Sequence, residues 1–283
     1  MTIGSLAGMT GAGQVQSAIA RASAKTGVDF SYLLGQAQVE SSLRPDARAR
    51  TSSATGLYQF IDQSWLSVVK RHGEEHGLGW AADAIQRGPG GRYYVADSRQ
   101  RAAILDLRTN SEAASLMAAE HAADNKATLE ASLGRTVGGT DLYMAHFLGA
   151  AGAGKFLSTM ARNPERSAAG LFPAAAAANR GIFYAADGRA RSLSEIYDRF
   201  AAKIDEGTRI AATGKSLPPA ANAGRPMLAV DMAALGERDG GAGGDLSTLD
   251  RLRAASAGDR ATMLRPTPET AKLAYLMLAA LGG

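Results

Sequence analysis

The chain contains no cysteine. Disulfide bridges and thiolate metal sites are therefore excluded, although the lack of cysteine does not assign a compartment. Aromatic residues make up only 6% of the 283 positions, so a core must come mainly from alanine and leucine, which favours helix over sheet. No stretch approaches the ~18 strongly apolar residues that a transmembrane helix needs. No run of Lys and Arg interleaved with aromatics is present, which argues against nucleic acid as a partner. The opening MTIGSLAGMTGAG has neither a basic n-region nor a sustained apolar h-region, so no signal peptide is visible in it.

What is present suits a helical domain. Hydrophobic residues reach 46%, and the net charge of +4 is too small over this length to dictate a partner. Val15, Ala18, Ile19 and Ala22 fall at i, i+3, i+4 and i+7 and define one helix face, with Gly27 just past its end. Asp29 is placed to cap a second helix whose inner face carries Phe30, Leu33, Leu34, Ala37 and Ser41. Further helices are expected from Asp62 with Trp65, Leu66 and Val69, from Asp97 to Arg108, from Ser111 to about Leu133, and from Thr140–Asp141 to about Leu148. Pro164 opens another helical stretch, Phe172-Pro173 interrupts it, and Ser192 or Ser194 starts the last one. Gly73 to Gly91 reads as a long glycine-rich connection, with room for a small hairpin before Val95. Strand alternation is otherwise missing, so the class is all-α.

Beyond Ile210 the composition shifts. Lys215 to Ser247 is rich in glycine and proline and reads as a linker. Short helices are expected at Leu246 to Ala255 and Pro268 to Leu281. The organisation is a helical domain over 1–212 and a linker with a helical C-terminal extension over 213–283.

The four histidines, His72, His76, His121 and His146, are too scattered for a zinc motif. His72 and His76 have i,i+4 spacing but enclose Gly73, and are expected to be solvated near a helix end. No metal and no cofactor are expected.

The chemistry concentrates between Val39 and Phe60, VESSLRPDARARTSSATGLYQF. Glu40 falls in the last turn of the second helix, seven residues after Leu33, and leans toward the buried side. Partial burial and the negative end of a helix dipole both favour the protonated carboxyl that a general acid requires. Gly56 permits a tight turn, and Tyr58 and Gln59 are placed to face a cleft. Glu112 and Glu120 are rivals to Glu40, each expected to be a surface charge.

Glu40-Ser41-Ser42 followed by Gly56-Leu57-Tyr58-Gln59-Phe60 resembles the paired motifs of the soluble lytic transglycosylases, the SLT-domain relatives of goose-type lysozyme. The Glu-to-Gln separation, 59 − 40 = 19, falls in that family's range. The resemblance spans about Gly13 to Ala201. Ala145-His146-Phe147-Leu148-Gly149 stands where most members carry Ala-Tyr-Asn-Ala-Gly, so His146 replaces a tyrosine and Phe147 an asparagine. Phe172 to Tyr184 is similar to an alphaproteobacterial subgroup, some of whose members are linked to flagellar assembly.

The resemblance implies a lysozyme-like helical catalytic domain that cleaves the MurNAc-β-1,4-GlcNAc bond of peptidoglycan in the periplasm. Glu40 would protonate the glycosidic oxygen and then act as base on the C6 hydroxyl of the same MurNAc, giving a 1,6-anhydro product. Ser42, Gly56, Tyr58, Gln59, Tyr143, His146, Phe147 and Tyr184 would line the glycan site. His146, Tyr143 or Tyr184 would supply the polar contact that the missing tyrosine makes in the family. Two alternatives remain open: a muramidase that adds water, and a non-catalytic factor that binds peptidoglycan or a flagellar or secretion-apparatus protein through the C-terminal region.

Overall fold

The structure is a computed structural model, and it describes residues 11–50 and 52–212. The expectations for the linker and for the helices beyond it lie outside the described residues.

The fold is built around a helix with almost no solvent-facing side. α1 (Gly11–Thr26) buries Val15, Ala18, Ile19 and Ala22, the stripe expected from their spacing. α2 (Phe30–Ser41) starts where the Asp29 carboxylate accepts the Tyr32 backbone N–H. It buries residues around its whole circumference, including Tyr32, Leu33, Leu34, Gly35, Ala37 and Glu40. A helix covered on every side belongs at the centre of a bundle. The polypeptide leaves α2 through Ser42 and Leu43, both left-handed, at φ 55° and 59°. The helix thus stops before Arg44, ahead of the point that Pro45 would impose.

α3 (Asp62–His72) buries Trp65, Leu66, Val68 and Val69. Asp62 does not cap it. Ile61 holds the cap position, and the Asp62 carboxylate accepts from Arg108 and Arg101 instead. The stretch after Gly73 is more structured than its glycines suggest. A 3-10 turn (Glu74–His76) and α4 (Gly79–Ala84) lead into β1 (Ile85–Arg87), which pairs antiparallel with β2 (Tyr93–Val95) in the register Ile85 to Val95. This hairpin is the small strand element for which the sequence left room.

α5 (Ser98–Asp106) is capped by Asp97 and continues as a 3-10 turn (Leu107–Thr109). α6 (Ser111–Leu133) begins at the Asn110 cap, whose side chain accepts from the N–H groups of Glu112 and Ala113. α7 (Gly139–Arg162) starts one residue before Thr140 and continues far past Leu148. Gly149, at φ 72° and ψ 161°, kinks the helix without ending it, so one element carries both Tyr143 and Phe156 into the core. Pro164 lies in a turn, not in a helix. α8 (Ala168–Leu171) begins instead at the Ser167 cap, and Pro173 takes the first position of α9 (Pro173–Ala178), where a missing N–H is harmless. α10 (Arg180–Phe183) is a single turn. α11 (Leu193–Ala212) opens with a reciprocal box: Glu195 N–H donates to the Ser192 hydroxyl, and Ser192 N–H donates to the Glu195 carboxylate.

α11, α1 and α6 pack on α2, and α7 bridges α6 and α11. Apart from the hairpin, the described residues form an all-α assembly. None of its helices is long and apolar enough to cross a membrane.

Candidate functional site

Three long helices converge on one carboxylate. Glu40, in the last turn of α2, has a side chain only 1% exposed. From α7, the Tyr143 hydroxyl donates to its Oε1 at 3.1 Å. One turn later on the same helix, His146 Nε2 lies 3.7 Å from the same oxygen. The Tyr143 and His146 rings stack, with centroids 5.9 Å apart and planes 16° apart. From α11, Lys203 brings its ammonium to 5.9 Å from the Tyr143 ring centroid and within electrostatic reach of Glu40. From α2 itself, Tyr32 faces both Glu40 and Tyr58.

The electrostatics follow from burial. Desolvation pushes the Tyr143 phenol well above its ordinary pKa, and the Glu40 charge adds to this, so the phenol keeps its proton and remains a donor. Desolvation also lowers the His146 pKa. Glu40 opposes that shift and Lys203 reinforces it, so the imidazole is neutral at pH 7. The Lys203 pKa is lowered by burial as well, with Glu40 opposing. The Glu40 carboxylate thus has the Tyr143 phenol, the His146 imidazole and the Lys203 ammonium among its neighbours.

Behind this cluster stands an aromatic wall. Phe200 receives Tyr143 edge-on at 5.4 Å and Phe147 at 5.3 Å, and Phe183 lies 6.3 Å beyond Phe147. Phe147 is therefore buried packing behind the site, not a surface that a sugar would touch.

The Gly56–Gln59 turn has a different job from the one its motif suggests. Gly56 has φ 85°, and a Cβ there would lie 1.9 Å from the Arg108 carbonyl oxygen. Tyr58 is only 1% exposed, with its hydroxyl near the buried Ser115 side chain. Both amide hydrogens of Gln59 are engaged by its own loop, donating to the carbonyls of Ala47 at 3.2 Å and Gly56 at 2.8 Å. Gln59 is thus the inner brace of the loop, and the expectation that it faces a cleft is corrected. Arg108 is the outer brace. Its buried guanidinium donates to the carbonyls of Leu105, Ser53 and Phe60 and to Asp62.

Ser42 and Tyr184 have other neighbours. Ser42 lines a cavity of about 320 Å³ with Gln38, Arg44 and Gln14. Tyr184 carries the Arg180 guanidinium 4.8 Å above its ring and pairs its backbone with Ala190. Of the residues singled out in the sequence, the structure brings Tyr143 and His146 to Glu40 and holds Tyr58 in a second layer through Tyr32.

Sequence reasoning passed over Tyr32 and Lys203. Helical periodicity carried a signal for both. Tyr32 lies eight residues before Glu40 on one helix, and Lys203 falls between the core positions Phe200 and Ile204. The view of Glu120 as a surface charge, and of His72 and His76 as solvated, is also corrected. Their side chains are 15%, 18% and 7% exposed, and they pair with one another. Glu112 does lie at the surface, bound to Arg21. No protein-family model matches the chain.

Proposed function

We propose that the chain is a peptidoglycan lytic transglycosylase with a lysozyme-like helical domain and Glu40 as its acid and base. The observation that carries this reading is the Tyr143–Glu40 pair at the end of the central helix. A buried carboxyl group that accepts a phenol hydrogen at one oxygen is held in a fixed orientation, as an acid and base must be. The motif resemblance supplies the substrate class.

In this mechanism the Glu40 proton passes to the oxygen between MurNAc C1 and the next GlcNAc, and that C–O bond breaks. The carboxylate so formed takes the proton of the MurNAc C6 hydroxyl while that oxygen closes on C1. The enzyme regains its proton, no water enters, and the product ends in 1,6-anhydro-MurNAc. Hydrolases usually place a second carboxylate opposite the acid. The lyase is preferred over the muramidase because the motif resemblance implies a single-carboxylate mechanism. Tyr143 takes the polar position beside the acid, and neutral His146 offers a second contact to a sugar hydroxyl or to the leaving oxygen.

One observation favours a second reading. The Glu40 side chain is 1% exposed, and the Gln59 amide hydrogens are already engaged. A domain that retains the fold to bind peptidoglycan or an assembly partner, without cleavage, accounts for both.

Mass spectrometry of soluble products from purified sacculi separates the readings, with wild type beside Glu40→Gln. The lyase releases 1,6-anhydro products that the variant does not. A muramidase releases fragments heavier by one water. Binding to sacculi without release by either protein leaves the non-catalytic reading.

A further inference from the structure

Where α3 meets α6, His72, Glu75 and Glu120 bring one ligand atom each to within 4.8 Å of one another. The end of α3 supplies His72, the 3-10 turn supplies Glu75, and the middle of α6 supplies Glu120. The geometry points to a binding site for a divalent transition-metal ion of the zinc class, held by these three side chains.

Proximity alone would not carry this. What does is the orientation of two of the ligands by outer partners. His72 Nε2 lies 3.0 Å from Asp124 Oδ2. An ionised carboxylate only accepts, so that nitrogen carries the ring hydrogen and Nδ1 of the neutral ring bears a lone pair. In that neutral ring His72 Nδ1 turns its lone pair toward Glu120 Oε2, 3.5 Å away. The other Glu120 oxygen, Oε1, is held by His76 Nε2 at 2.7 Å. By the same argument His76 is the donor there, and it turns Oε2 toward His72.

This is the outer-shell pattern of metal sites, in which a carboxylate fixes the tautomer of a ligating histidine and a second hydrogen bond fixes the ligating carboxylate. The spacing agrees: two ligands on a tetrahedral ion with bonds of about 2.0–2.1 Å stand about 3.3 Å apart. Asp124 itself is not a ligand, because Arg71 Nη1 already holds the same Oδ2 at 2.6 Å. One imidazole and two carboxylates suit zinc or manganese better than calcium or magnesium, which favour all-oxygen shells. Three protein ligands leave a fourth position to water. The ion would pin the turn after α3 to α6.

The rival occupant of the space between His72 Nδ1 and Glu120 Oε2 is a second proton on His72. Calorimetric titration of the chelator-treated full chain with Zn²⁺, alongside Co²⁺ absorption spectroscopy, decides between them. One saturable Zn²⁺ site is expected, with a visible Co²⁺ ligand-field band and a higher melting temperature when zinc is bound. Glu75→Gln, at an exposed position that the fold does not need, should weaken zinc binding at least tenfold, and so should His72→Gln. Absence of saturable binding in the wild-type chain overturns the site in favour of the proton. Binding that neither variant weakens places the metal elsewhere and overturns it as well.

Discussion

Tyr143, on α7, donates its phenol hydrogen to Oε1 of Glu40, at the end of α2, across 3.1 Å and 103 positions of sequence. Glu40→Gln tests the acid; Tyr143→Phe tests what holds it. The phenylalanine keeps the ring between His146 and Phe200 and removes only the hydroxyl. Hydrogen bonds to charged groups contribute about 1.5–3 kcal/mol. If Glu40 is the acid of the proposed transglycosylase, glycan release should therefore fall by about 10- to 100-fold, with the melting temperature within a few degrees of wild type. Unchanged release by a folded Tyr143→Phe protein would separate the pair from the chemistry.

The histidines make stability depend on pH. Burial first, then the nearby charge of His146 and that of Arg71, lower the His121 pKa from its ordinary value to about 4, against the opposing pull of Asp124. The His146 pKa is lowered in the same direction. A histidine whose folded pKa lies below its unfolded one binds fewer protons folded than unfolded over the interval between the two. Stability is complete above the unfolded value near 6.5 and is lost as pH falls toward 4. For His121 the whole interval is worth at most about 3 kcal/mol. Melting temperature should thus fall between pH 7 and pH 5, and His121→Gln should flatten that slope. An equally steep slope in the variant would assign the acid sensitivity to other groups.

The loop that carries the second motif is predicted to fail at Gly56 sooner than at the acid. Alanine there meets both a left-handed backbone and the Arg108 carbonyl oxygen 1.9 Å from its Cβ. Gly56→Ala should cost ~3 kcal/mol, or roughly 6–12 °C in melting temperature for a domain of this size. Arg108→Met should lose a similar amount, because it strands the carbonyls of Ser53 and Phe60 and the Asp62 carboxylate. Calorimetry checks both. Wild-type stability in either variant would mean that the loop is held by something other than the Arg108 brace.

The helical frame was legible because it is local. The α1 stripe, the Asp29 and Asp97 caps and the α11 stripe all depend on residues within two turns of each other. Glu40 was legible for the same reason, being both the end of a helix and the start of a motif. Contacts across the fold were not. The pairing of His76 with Glu120 joins residues 44 positions apart and leaves no periodic trace. The Gly56–Gln59 turn reads in sequence as facing a cleft, whereas the Gln59 amide hydrogens bond the carbonyls of Ala47 and Gly56 within its own loop. Kinks are likewise opaque. The sequence predicts a helix only to about Leu148, whereas Gly149 bends it and it continues to Arg162.

A tight contact between α2 and α11 gives the last prediction. Gly35 on α2 and Gly207 on α11 meet face to face. A Cβ on Gly207 would lie 2.8 Å from the Gly35 carbonyl oxygen and 2.9 Å from Val39 Cγ2. Val39 is the neighbour of Glu40, and Lys203 sits one turn before Gly207, so this contact lies beside both residues. Gly207→Ala must push α11 away from α2, because the obstructing carbonyl belongs to a helix backbone and cannot rotate aside. Overpacking of this kind costs about 1–3 kcal/mol. If α11 positions Lys203 and the Phe200 wall against Tyr143, glycan release should fall in Gly207→Ala by more than the lost stability explains at a temperature where the variant is fully folded. An exposed change on the same helix, Arg209→Ala, disrupts only the surface pair with Glu206 and should leave release intact. Full activity in folded Gly207→Ala would show that the Glu40 cluster tolerates a shift of α11 and that α7 alone holds its geometry.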